Sequence, residues 1–364
     1  MKLQISKDKL FTALQKVNSI ISSRSTMQII SNVLLETEGN KLILSSTDLD
    51  IRIQTEIEAE VSEHGKTTLP ARKFFEIVRE LSNEQISLEL CEHHMKIECG
   101  NSNFKLLGLP AADFPVPLKT QCIRKFTVKQ IELSRTLSLI SYAVNQEDNR
   151  KALNGVLFSI SENNFTSVAT DGRRLALVEK TMDDFDGEDG DVILPSKSAS
   201  ELNKILGKNG DVTVEIGENM IVFILEDSTM LTSKLIDENY PNYKQVIPVS
   251  FSRSISLPRE SFASVLHRVS LVVSERSFFV KVKFSKNKLE MSANSTDVGE
   301  SSDSIDIEYD GPETIVSFNP TYLQDPLNRL DSDNIVMKMN DGYSPVAISN
   351  EDGFLYVIMP MRNR

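Results

Sequence analysis

Apolar residues occupy the first, third, eighth, twelfth and fifteenth places of three segments, residues 3–17, 126–140 and 255–269, which recur at intervals of 123 and 129 residues. The first two places have strand spacing and the last three have helical spacing, so each segment predicts a short strand running into an amphipathic helix. A unit this long is large enough to be a domain, unlike the 20–50-residue units that stack into solenoids. The chain therefore reads as one fold written three times.

Other landmarks keep the same order in every copy. Residues 69–81, 194–206 and 318–330 each predict a strand end followed by a helix. Ser46-Thr47-Asp48, Ala169-Thr170-Asp171 and Ser295-Thr296-Asp297 each close an alternating run. Residues 109–115 and 235–241 end alike in proline, which fixes an extended exit. These landmarks place the domains at 1–122, 123–250 and 251–364. Each copy is also halved internally, into strand, helix and three strands, with a hairpin tip at Glu38-Gly39-Asn40 and another at His93-His94. The expected class is α+β, with six helices and about two dozen strands in antiparallel sheets whose helices cover one face.

No stretch approaches a membrane span, and the first 25 residues lack a cleavable apolar core, so the chain is expected to be cytoplasmic. Cys91, Cys99 and Cys122 are an odd number without a close pair, which points to reduced thiols; a facing pair across the His93-His94 hairpin is one arrangement for Cys91 and Cys99, and small core residues are the favoured one. The net charge of −12 argues against nucleic acid as a partner, but its distribution argues for it. The six helical windows (6–21, 71–81, 129–141, 196–208, 258–269 and 319–330) hold 14 Lys and Arg against 7 Asp and Glu, in a chain with 40 against 52. Basic helices on an acidic body predict a helix layer that faces DNA.

The motifs Pro70-Ala71-Arg72-Lys73-Phe74-Phe75, Leu109-Pro110-Ala111-Ala112-Asp113-Phe114-Pro115, Leu153-Asn154-Gly155, Ala169-Thr170-Asp171-Gly172-Arg173-Arg174-Leu175, Tyr240-Pro241 and Met359-Pro360-Met361-Arg362 carry a resemblance. In this order and spacing the sequence resembles, over its whole length, the β subunit of bacterial DNA polymerase III, the sliding-clamp family. The resemblance implies three tandem DNA-clamp domains and a head-to-tail homodimer that closes a ring around duplex DNA. It also implies a processivity factor that tethers the replicative polymerase's catalytic subunit, is opened by a clamp loader, and holds other replication and repair proteins. No cofactor or metal is implied, and no membrane.

Family positions that approach DNA match Arg24, Arg72, Lys73, Arg150 and Lys197. Beside Arg150, Lys151-Ala152 stand where some members carry two tyrosines. A pocket for a partner's extended peptide would comprise Leu153, Thr170, Gly172, Arg174, Leu175, Pro241, Val246, Tyr322, Val346, Met359, Pro360, Met361 and Arg362. Methionines suit such a pocket because they repack around different side chains. The ring contact would bring Phe104 and Leu106 of one chain to Leu271 and Val272 of the next. With Asn101 and Asn103 beside it, where some relatives carry complementary charges, that contact is expected to be more salt-tolerant but weaker. Pro326 should kink or shorten the sixth helix.

Enzyme motifs fail on spacing. Gly65-Lys66-Thr67 lacks the P-loop glycine five residues earlier, where Glu60 stands. The acidic run at 183–191, taken as a glycine-rich loop, has no register that fits a calcium loop. Only four histidines exist, at 64, 93, 94 and 267. The competing function is a three-domain protein-binding scaffold that never encircles DNA.

Overall fold

The structure, a computed structural model, describes residues 1–21, 27–82, 85–92, 94–117, 121–147, 149–161, 163–182, 185–274, 278–350 and 353–361. Among them lie six α-helices and twenty-six strands. The helices are α1 (Lys7–Val17), α2 (Ala71–Glu80), α3 (Gln130–Ile140), α4 (Ser196–Ile205), α5 (Arg259–Ser270) and α6 (Pro320–Leu327). Of the fifteen apolar positions that define the repeated segments, fourteen are buried; Val128 alone is half-exposed. Each buried Leu, Ile or Phe of these faces contributes about 1.5–3 kcal/mol, which holds every copy's helix to its sheet. No helix of the described residues is long and apolar enough to cross a membrane.

Two compact units emerge, and neither coincides with a sequence copy. One comprises Met1–Ser134, Met182–Glu188 and Lys197–Leu235; the other comprises Arg135–Thr181, Asp189–Ser196 and Ile236–Arg364. The first unit contains a five-stranded sheet, ordered Glu60–Glu63, Lys2–Ser6, Gln85–Cys91, His94–Cys99, Ser102–Leu107. Its nine-stranded sheet joins strands of the first two copies where Met230–Lys234 pairs with Ile51–Glu58, with Ser233 opposite Ile51. The second unit contains an eight-stranded sheet, in which Phe354–Ile358 of the third copy pairs with Arg174–Thr181 of the second. Its four-stranded sheet is ordered Gly299–Asp306, Lys288–Ser295, Val280–Ser285, Thr314–Phe318. All pairings are antiparallel.

Three sequence expectations are corrected or refined. Cys91 and Cys99 do not face each other: the register sets His94 opposite Cys91 and Ser102 opposite Cys99, and all three cysteines are free. The acidic run is not simply a loop. Phe185–Asp186 pairs with Lys125 and Phe126, and Gly190–Pro195 forms the edge of the eight-stranded sheet; 183 and 184 lie outside the described residues. Pro326 leaves α6 only eight residues long. Because proline has no N–H to offer the carbonyl four residues earlier, Tyr322 O is left without its helical partner, and the Tyr356 hydroxyl donates to it at 2.7 Å.

Candidate functional site

Among the residues expected to meet DNA, Arg72 and Lys73 lie exposed in the first turn of α2. The Arg72 guanidinium leans 3.4 Å from the Ile21 carbonyl, while Lys73 pairs with Glu76 at 2.7 Å. Lys197, in the first turn of α4, forms an ion pair with Asp48, a residue of the first copy's Thr-Asp turn. Arg24 lies outside the described residues. Among the described residues, at least ten of the fourteen basic residues in the helical windows form ion pairs, six of them with carboxylates outside the helices, such as Lys16 with Asp227 and Lys129 with Asp211. The helix layer is therefore less positive than its sequence count. Most of these pairs are solvent-exposed and worth only about 0–1 kcal/mol, so a phosphate oxygen can replace the carboxylate at little cost.

The predicted peptide pocket centres on Arg174. Its side chain bonds Asp171 at 3.1 Å, Asp325, and the Tyr142 carbonyl at 2.6 Å, with its guanidinium 4.4 Å from the Tyr322 ring. Burial opposes its charge, but the facing Tyr356 and Asp325 oxygens outweigh that penalty and hold its pKa above the ordinary value. Desolvation pushes the Tyr356 phenol up in turn. Arg174 is thus a fixed post that orients Tyr322 rather than a mobile surface charge.

Around that post a cavity of about 450 Å³ is lined by Gly172, Arg173, Arg174 and Tyr322 together with Arg150. The structure thereby brings one expected DNA contact, Arg150, to the expected pocket. Gly172 has φ +85°, and a Cβ there would lie 2.8 Å from Arg150 Nη1, so glycine is needed for both conformation and space. Beside it, Leu175 belongs to an apolar cluster with Leu157, Leu177 and Val357, against which Tyr240, Tyr243 and Ile247 pack half-buried. Met359 N–H donates to Arg173 O at 3.0 Å and Met361 N–H to Ser317 O at 2.7 Å, fixing the half-buried Met359, Pro360 and Met361.

Not every expected pocket residue reaches the surface. Leu153, Thr170, Leu175 and Val346 are buried and support the site from behind, whereas Pro241 and Val246 are exposed. Arg362 lies outside the described residues. Sequence reasoning missed Asp325, Tyr142 and Tyr356; only the odd placement of Pro326 signalled that this helix end was built around something else.

Three family models cover nearly the whole chain: the N-terminal domain of the DNA polymerase III beta subunit matches residues 1–118, the central domain 127–242 and the C-terminal domain 244–362. The chain belongs to the DNA polymerase III beta subunit family. Among its relatives, the beta sliding clamp of Chlamydia muridarum is 32% identical over 363 residues, covering 100% of this chain and 99% of its own. That of Haemophilus influenzae is 33% identical over 367 residues, covering 100% of both. The crystal structure of the DNA polymerase III subunit beta from Pseudomonas aeruginosa superposes with a TM-score of 0.95 at 30% identity over 100% of both chains. Three beta-subunit domains, each of antiparallel sheet and helix, thus account for the internal repeat.

Proposed function

We propose that two copies of this chain, each with modules at 1–122, 123–250 and 251–364, join head to tail into a ring that encircles duplex DNA. The observation that supports this reading is a pair of unsatisfied strand edges. In the first unit, the outermost strand of the second copy's later half, Met230–Lys234, pairs with the fourth strand of the first copy, Ile51–Glu58. In the second unit, Phe354–Ile358 and Arg174–Thr181 repeat that arrangement one copy further on. Two equivalents remain at sheet edges: Ser102–Leu107 and Gly299–Asp306. Pairing one chain's Ser102–Leu107 with the other's Gly299–Asp306 would give five and four strands a common sheet and hide two edges that otherwise invite aggregation. Phe104 and Leu107 on the first edge are exposed, as is Leu271 after α5, so an apolar contact can accompany the new ladder.

Topological linkage replaces tight base contacts in such a ring. Modest positive charge from Arg24, Arg72, Lys73, Arg150 and Lys197 then holds phosphates without sequence preference and still allows sliding. The chain performs no chemistry: it tethers the polymerase's catalytic subunit in the cytoplasm, while an ATP-driven clamp loader opens the ring. The pocket around Arg174, Tyr322 and Met361 takes an extended peptide from polymerase, loader or repair protein. A scaffold that never encircles DNA would not need two complementary free edges.

Phe104→Arg tests the closure. Sedimentation should show a dimer for the unaltered chain and a monomer for the variant, and the variant should no longer stimulate primer extension by a polymerase and loader on a primed single-stranded circle. A variant that remains dimeric, or an unaltered monomer that stimulates fully, would overturn the proposal.

A further inference from the structure

The first unit contains a second cleft built on the same plan as the Arg174 pocket. At Thr170-Asp171-Gly172, Asp171 Oδ1 accepts from the N–H groups of Arg173 at 2.8 Å and Arg174 at 3.0 Å, Thr170 Oγ1 donates to Arg174 O at 2.5 Å, and Gly172 N–H donates to Thr170 Oγ1 at 3.0 Å. At Thr47-Asp48-Leu49 every one of these bonds recurs. Asp48 Oδ1 accepts from Asp50 at 3.0 Å and Ile51 at 2.7 Å, Thr47 Oγ1 donates to Ile51 O at 2.8 Å, and Leu49 N–H donates to Thr47 Oγ1 at 3.0 Å. Leu49 even adopts φ +80°, beside +85° for Gly172. Each turn feeds a strand that pairs with the last strand of the following copy.

Beside the first turn lies a cavity of about 440 Å³, within the ~300–1,000 Å³ range of ligand clefts. Its floor is apolar, formed by Ile51, Met220, Val222 and Met230, and its rim carries Leu49 and Val116, which are 44% and 84% exposed. Arg52 supplies the polar element. Its Nη1 donates to Pro115 O at 3.0 Å and its guanidinium lies 5.6 Å from the Phe114 ring, but its buried Nε has no hydrogen-bond partner and no ion pair forms with it among the described residues. Burial lowers its pKa, and the charge of Glu36 only partly offsets this. Arg174, by contrast, already holds two carboxylates.

We propose that this cleft docks an extended peptide of a partner protein that carries a bulky apolar residue followed by a carboxylate, the apolar side chain on Met220, Val222 and Met230 and the carboxylate on Arg52. The proposal rests on reading the Arg174 pocket as a peptide site, since the two share a scaffold. It adds a second attachment point per chain, with a preference for acidic sequences that comes from Arg52.

Methionine methyl NMR separates the two sites, because Met220 and Met230 report on this cleft and Met359 and Met361 on the other. Full-length protein labelled at its methionine methyls, assigned by single Met→Leu substitutions, is titrated with acetyl-Ala-Leu-Phe-Asp-Ala-amide and with its Asn counterpart. The Asp peptide should move Met220 and Met230 and bind there roughly tenfold more tightly than the Asn peptide, the worth of one charge-assisted hydrogen bond. Arg52→Gln should abolish that preference. Shifts at Met220 and Met230 without any at Met359 and Met361 would uphold this cleft and count against the other pocket. Shifts confined to Met359 and Met361, no shifts at all, or equal affinity for the two peptides would overturn the proposal.

Discussion

Lys16 shows how a single residue can carry two readings. In the sequence it adds one charge to a basic helix; in the structure it bonds Thr229 Oγ1 at 3.0 Å and pairs with Asp227, tying the first copy's α1 to a hairpin of the second. Burial disfavours the Asp227 carboxylate, but its bonds to Lys16 and Thr229 outweigh this and set its pKa below the ordinary value. A depressed carboxylate pKa contributes stability that is present above the unfolded value of about 3.9 and is lost as pH falls through the folded value. Lys16→Met should therefore cost no more than about 1 kcal/mol at pH 7, since Asp227 is half-exposed. The difference from the unaltered chain should shrink steadily below about pH 4, as measured by urea unfolding. Arg174 shows the same thing: residue type was visible in the chain, but its pairing with Asp325 was not, because that partner lies 151 residues away in sequence.

Elements were the most legible level. Apolar spacing placed all six helices, since a face that must be buried repeats every three or four residues whatever surrounds it. Strand partners were less legible: the sequence copies suggest three closed modules, whereas the strands form sheets shared by successive copies. Nothing local in Met230–Lys234 names Ile51–Glu58 as its neighbour. The Phe185–Asp186 strand was hidden by its acidic surroundings, and the Cys91 register by a hairpin lacking favoured turn residues. Helix α6 offers a test of a compensation between elements. Tyr356→Phe should cost about 1 kcal/mol, by leaving the Tyr322 carbonyl bare. In a Pro326→Ala background, where the helix can supply its own N–H, the cost should fall by at least half; a double-mutant cycle by denaturant unfolding measures it. At the proposed ring contact, Asn103 donates to Glu98 at 3.0 Å within its own sheet, and exposed Phe104 and Leu107 would provide apolar area. Dimer dissociation followed by sedimentation should accordingly change little between low and high salt, and a steep rise with salt would count against an apolar contact.

For the molecule as a whole, the proposed ring attaches to DNA by enclosure rather than by affinity. The net charge of −12 keeps the duplex from adhering elsewhere, and the few basic helix turns suffice only if the ring cannot come off sideways. The direct test is to load the full-length chain onto a nicked circular plasmid with a clamp loader and ATP, remove unbound protein, and cut the circle once with a restriction nuclease. Enclosure predicts stable retention on the circle and prompt loss once the DNA has ends. Equal retention on circular and linear DNA, or no retention on the circle, would contradict it.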